Sequence, residues 1–165
     1  MKAFLFLATT FLLGTGATCA QSLPPGVRLG MTADELQGAL PDAERVSRPQ
    51  RLAGGQAGSW RGVPMQVAGL PFEPTFFFAG GALQRIEYLA AAQTAPDAGA
   101  AAFAELVNWG RERFGRELGS NDPGSAYAAW TQGDTDVYVQ HTLDPRRASV
   151  RLVYKARQLK DGSQL

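Results

Sequence analysis

The sequence predicts an α+β fold in which two helices pack on an antiparallel β-sheet, and it leaves open a tandem α-β-β-β arrangement. Three observations carry this. A Thr-x-x-Glu cap at Thr32 and Glu35 opens a short helical pattern, an apolar stripe at helical spacing runs from Phe103 to Phe114, and short apolar or alternating runs punctuated by Gly and Pro follow each helix. A chain of 165 residues is long enough to bury a sizeable core as one domain.

The N-terminus reads as an export signal rather than as part of the fold. Met1-Lys2 is basic, Ala3 to Leu13 is apolar, Gly14-Thr15-Gly16 breaks the run, and Thr18-Cys19-Ala20 offers small residues for cleavage. The apolar stretch falls short of the ~20 residues that a membrane span needs. This predicts a signal peptide over 1–20, cut after Ala20, and a periplasmic (Gram-negative) or secreted protein. The competing reading of the same stretch is a buried N-terminal helix. Lipid anchoring at Cys19 is disfavoured, because Gly16 stands where a lipobox carries Leu and Thr18 where it carries Gly or Ala. Cleavage would remove Lys2 and Cys19, leaving 15 basic and 15 acidic residues and no cysteine. That argues against disulfides, thiol chemistry and thiolate metal sites. A neutral exported chain is also a poor match for nucleic acid. No later apolar run is long enough for a transmembrane segment.

The elements follow in order. Thr32 caps the first helix, with Glu35 completing a capping box and Met31 and Leu36 placed as a hydrophobic staple. Leu36 and Leu40 share a face, and Pro41 stops the helix. Strand-like runs follow at Val46 to Leu52, Ser59 to Val67, Thr75 to Ala79 and Leu83 to Leu89, with Gly80-Gly81 as a hairpin turn. Phe76-Phe77-Phe78 is apolar on both faces, which predicts a strand covered on both sides. Thr94 is an N-cap candidate for the second helix, with Pro96 in its first turn and Asp97 three residues on. Its stripe is Phe103, Leu106, Val107, Gly110 and Phe114, and Gly115 ends it. Ala126 to Thr131, Val137 to Thr142 and Ser149 to Arg157 then read as strands, with turns at Gly133-Asp134 and Asp144 to Arg147.

The organisation expected is a signal peptide over 1–20, one α+β domain over 21–158 and a tail over 159–165. Within the domain, 26–90 and 91–158 look like two passes of the same pattern, with Trp60 and Trp130 in corresponding places. General capping rules would also make two unrelated helices look alike.

Gly26-Val27-Arg28-Leu29-Gly30-Met31-Thr32-Ala33-Asp34-Glu35-Leu36 resembles the opening motif of the SmpA/OmlA (BamE-like) outer-membrane assembly lipoproteins. In those, Gly-x-x-x-Gly-Met-Thr/Ser starts a helix that packs on a small antiparallel sheet. The doubled helix-plus-sheet pattern is also similar to the β-lactamase inhibitor protein, which sets two such units in tandem and binds its target with a sheet. The resemblance covers eleven residues. The chain departs from the lipoproteins in lacking a good lipobox, and from the inhibitor in lacking mature cysteines. The second half has no Leu-Gly-Met-Thr stretch. The resemblance implies a fold; a fold does not fix a function.

Residues for catalysis are sparse. His141 is the sole histidine, with Asp144 near it in sequence, and a hydrolase using His141 is one alternative. Ser59, in Gly58-Ser59-Trp60, misses the nucleophile-elbow pattern. One histidine and no mature cysteine leave no usual zinc or copper set. Asp134 and Asp136 lack the rest of a calcium loop, and no phosphate-cradling glycine loop or cofactor motif is present. The binding candidates lie elsewhere. In the last strand Val150, Leu152 and Tyr154 form an apolar face, while Arg151, Lys155 and Arg157 punctuate the other, with Arg146 and Arg147 in the turn before it. These cations suit an acidic partner or envelope component, and equally a solvated face or a charge-guarded edge. Trp109 lies off the helix stripe and, if exposed, is a candidate contact residue. The expectation is a non-catalytic binding domain that contacts a protein partner or an envelope component. An inhibitor or immunity protein of a periplasmic enzyme is the runner-up.

Overall fold

The capping grammar at Thr32 builds the first helix as a closed pair of hydrogen bonds. In the computed structural model, which describes residues 23–122, 124–144 and 146–157, α1 spans Ala33–Ala39. Thr32 Oγ1 accepts from the Glu35 amide at 3.3 Å, and Glu35 Oε2 accepts from the Thr32 amide at 2.7 Å. Met31 and Leu36 are both buried. Gly30 has φ +87°, a conformation that suits glycine, and this turn ties the motif to the sheet: the Gly30 amide donates to Leu83 O and the Leu83 amide to Met31 O. The signal peptide expected over 1–20, with Cys19, and the tail expected over 159–165 lie outside the described residues.

The strands of the first half are β1 (Glu44–Arg51), β2 (Ala57–Arg61), β3 (Met65–Val67), β4 (Leu70–Ala79) and β5 (Ala82–Ala91). The run expected from Ser59 to Val67 is divided, because the chain leaves β2 at Gly62, exposes Val63 and turns through Pro64. A three-residue β3 then pairs with the start of β4. Gly80-Gly81 does turn β4 into β5. Phe76 and Phe77 point to opposite faces of β4 and are both buried, but only the Phe76 side joins the core beneath the helices; Phe77 is covered from within the sheet, with Arg85 over its ring.

The second helix, α2, spans Ala100–Phe114 rather than starting at Thr94. Residues 94–99 form successive turns instead, and Gly99 (φ +90°) is the N-cap. A Cβ there would lie 2.7 Å from Val150 Cγ2, so the chain enters the helix pressed against the sheet. Asp97 supplies the cap one turn early. Its carboxylate accepts from the Gly99 amide (3.0 Å) and the Ala101 amide (2.8 Å), and these bonds hold its carboxyl below the ordinary range. Gly115 ends the helix as expected. The remaining strands are β6 (Leu118–Asp122), β7 (Ser125–Gln132), β8 (Thr135–Thr142) and β9 (Ser149–Ala156). β6 has no counterpart in the sequence reading. Its Gly119, Ser120, Asn121 and Asp122 are weak strand formers, and it is an edge strand recruited by pairing with β7.

All nine strands among the described residues join one antiparallel sheet, in the order β1-β2-β4-β5-β9-β8-β7-β6, with β3 beside β4. The fold is α+β, with both helices contributing to one core: Leu36 from α1, and Ala102, Leu106, Val107 and Trp109 from α2, join Phe76, Ile86, Tyr88, Val137, Val139, Leu152 and Tyr154. The two halves meet at β5 and β9. One row of paired residues crosses that seam on the helix side: Trp60, Phe76, Ile86, Tyr154, Val137 and Trp130.

Candidate functional site

Alternation along the strands sends a second set of side chains to the face opposite the helices. On β5 these are Arg85, Glu87 and Leu89; on β9, Arg151, Val153 and Lys155; on β8, Asp136, Tyr138 and Gln140. Glu87 is the centre of this face and is only 5% exposed. Arg85 Nη2 and Nε lie 2.6 and 3.2 Å from Glu87 Oε2. Arg151 sits diagonally across the β5–β9 pair, with Nε 3.1 Å from Glu87 Oε1. That approach is an ion pair in distance but lacks hydrogen-bond alignment, leaving Arg151 Nε without a hydrogen-bond acceptor.

Aromatic rings surround this group. The Arg85 guanidinium stands over the rings of Phe77 and Tyr138, at 5.9 and 5.7 Å from their centroids. Tyr127, from β7, packs on Tyr138 at 5.5 Å, and its phenol is pushed up, first by burial and then by Tyr138 and Asp136. Lys155 lies opposite Arg85 and has no carboxylate partner among the described residues. At the end of the sheet Arg157 Nε is 3.6 Å from Asp136 Oδ1, which also accepts from Thr131 Oγ1 at 3.1 Å. Across this face five cations (Arg61, Arg85, Arg151, Lys155, Arg157) accompany four carboxylates, those of Glu44, Glu73, Glu87 and Asp136. The arrangement is a rigid, positively biased surface with a satisfied acid at its centre, and chemically it suits recognition.

The sequence-derived candidates are divided by this geometry. Arg151, Lys155 and Arg157 share the open face, but Arg151 is committed to Glu87 and Arg157 to Asp136. Arg146 and Arg147 are exposed at the other end of β9, in a turn where Asp144 accepts from both their amides. Arg147 lies four positions before Arg151 and ten before Arg157, roughly 13 and 33 Å of extended chain. Trp109 is corrected outright as an exposed contact. It is 7% exposed, packs edge-on to Phe114 (5.4 Å) and Tyr154 (6.4 Å), and follows Ala102 and Leu106 on the buried stripe. Its own helix stripe is broader than the one read from sequence.

His141, at 4% exposure, is also held structurally. Its Nε2 is 2.8 Å from Ala98 O, and its ring stacks on Phe103 at 5.4 Å, so it pins the turn that precedes α2. The Ser59 hydroxyl donates to Ala57 O. The sequence analysis missed Arg85, Glu87 and Tyr138. The Arg85-x-Glu87 spacing on a strand was a legible signal of two side chains on one face; their meeting with Arg151 was not. No family model, curated protein or solved structure matches this chain, and the reading of this face rests on its geometry.

Proposed function

We propose that the chain is an exported, non-catalytic binding domain that docks an acidic protein of the cell envelope on the open face of its sheet. The observation that carries this is the Glu87 group. A buried carboxylate holds two guanidiniums on a face where neither helix packs, beside the Tyr127–Tyr138 pair. Arginine and tyrosine are the residue types that dominate binding energy at protein interfaces. Holding Arg85 and Arg151 in place beforehand reduces the side-chain entropy lost on association. The excess of cations gives the face its preference for an acidic partner. The inhibitor reading is a special case in which that partner is an enzyme. The hydrolase reading is less well supported, because His141 Nε2 is occupied by a main-chain carbonyl.

The same reading treats the halves as tandem copies. Trp60 and Trp130 stand three strands out from the β5–β9 seam on one row, which is what a two-fold relation between duplicated units requires.

The test is photocrosslinking in cells with a crosslinker at Gln140, and mass measurement of the purified chain. The expected results are a mature N-terminus at Gln21 and one adduct with an acidic protein. That adduct fades with salt and is lost in Lys155→Glu/Arg157→Glu. Adduct formation indifferent to both charge reversal and salt would refute the docking face. An unprocessed N-terminus would refute export.

A further inference from the structure

The two halves differ most in how far their helices reach. In the second half the last turns of α2 carry Trp109 and Phe114, which cover Tyr154 and Trp130. α1 has 7 residues where α2 has 15, since Pro41 follows it closely. The shortfall of eight residues is roughly 12 Å of helix. The sheet beneath is left with a cavity of about 550 Å³, lined by Leu23, Ala39, Leu40, Met65, Phe76 and Tyr88. That volume lies within the range of small-molecule sites, and its walls are apolar as theirs are.

Tyr88 gives the cavity a polar point. It is 4% exposed, and its hydroxyl has no hydrogen bond among the described residues. Among the described residues the one fully sealed side-chain polar atom without a partner is Arg151 Nε, so the Tyr88 oxygen keeps some exposure, and Tyr88 lines the cavity. Burial alone pushes this phenol up, which keeps it a neutral donor and acceptor. A hydroxyl without a protein partner at the wall of an apolar cavity is a polar point that a ligand group can pair with. The mouth has a sign as well. Exposed Asp42 lies on its rim, and the adjoining depression adds Glu44 and Glu73 against the single cation Arg61.

We propose that this cavity is a binding site for a small amphiphile. Its apolar body fills the space beside α1, one polar atom meets the Tyr88 hydroxyl, and a cationic amine head lies at the Asp42 rim. The cavity is on the helix side of the first half and its mouth meets the edge of the open face at Arg61 and Glu73, whereas the docking test changes Lys155 and Arg157, so each proposal can fail without the other.

N-phenyl-1-naphthylamine, whose fluorescence rises in apolar surroundings, is the probe, with dodecylamine and dodecanoate as competitors. The expected result is saturable binding at one site per chain. Dodecylamine displaces the probe at about tenfold lower concentration than dodecanoate, a preference that Asp42→Asn removes. Tyr88→Phe weakens probe binding about fivefold. Ala39→Trp, filling the cavity, abolishes it. Met65→Trp repeats that test from another wall should the first variant fail to fold by circular dichroism. No saturable binding, binding unchanged in a folded cavity-filled variant, or equal displacement by amine and carboxylate would each overturn the proposal. So would a dimer that Val63→Glu dissociates, which would assign the groove to a second copy.

Discussion

Gly110 is where α2 comes closest to the sheet, and replacing it with alanine tests how the helix is seated. A Cβ at Gly110 would lie 2.3 Å from Trp130 Cη2 and 2.4 Å from Cζ2. Relief to ordinary contact requires a separation of about 1 Å between helix and indole. The indole has little room to yield. Trp130 is 5% exposed, its Nε1 donates to Gly115 O at 2.9 Å, and Phe114 packs against it at 6.1 Å. Overpacking of this kind costs about 1–3 kcal/mol. Alanine's better helix propensity offsets up to about 1 kcal/mol of that. The expected net loss is about 1–2 kcal/mol, or roughly 3–6 °C in Tm for a chain of this size. Urea unfolding followed by circular dichroism at 222 nm reads it. The companion is Trp130→Phe, which removes the clashing atoms and the Gly115 hydrogen bond. The double variant should then fall short of the summed losses by about 1 kcal/mol. A Gly110→Ala chain as stable as the parent would show that α2 is loosely seated, and the account of Trp130 as its anchor would be wrong.

Other outcomes follow from the same contacts. Glu87→Gln leaves two guanidiniums uncompensated and should cost about 2–4 kcal/mol in urea unfolding, while Arg85→Met/Glu87→Leu should recover much of the loss; equal damage from both would contradict the ion-pair account. Glu117 is held down to about 2, first by the Arg111 side-chain hydrogen bond. Its folded value is depressed, so its contribution is present above its ordinary value and disappears as pH falls through the folded one. Glu117→Gln should therefore be less stable than the parent at pH 7, and the gap should close near pH 2; a gap independent of pH would rule this out. Thr32→Ala breaks the capping box of α1 and should cost about 1 kcal/mol; since α1 walls the apolar cavity, probe affinity should fall with it.

Much of the fold was legible because it rests on local chemistry. The Thr32–Glu35 capping box, the Pro41 stop, the Gly80-Gly81 hairpin and the Gly115 helix end are decided by residues within a few positions of each other. The start of α2 was misplaced because Thr94 and Asp97 both offer caps. Contact of Gly99 with Val150 and of His141 with Ala98 then chose the later one. β6 was invisible because its strand character comes from its neighbour β7 and not from its own side chains.

The candidate site divides along the same line. Sequence alternation by itself determined that Arg151, Lys155 and Arg157 would share a face, since that depends only on the two-residue period of a strand. Which of those charges remain available was decided by tertiary structure. Glu87 reaches Arg151 only because β5 and β9, some sixty residues apart in the chain, lie side by side in this register. Likewise the spacing of Trp109 on its helix is local information, but its burial depends on where α2 crosses Tyr154. The short α1 could be read from Pro41; that its shortness leaves a cavity above Phe76 and Tyr88 could not, because a void is a property of what surrounds it.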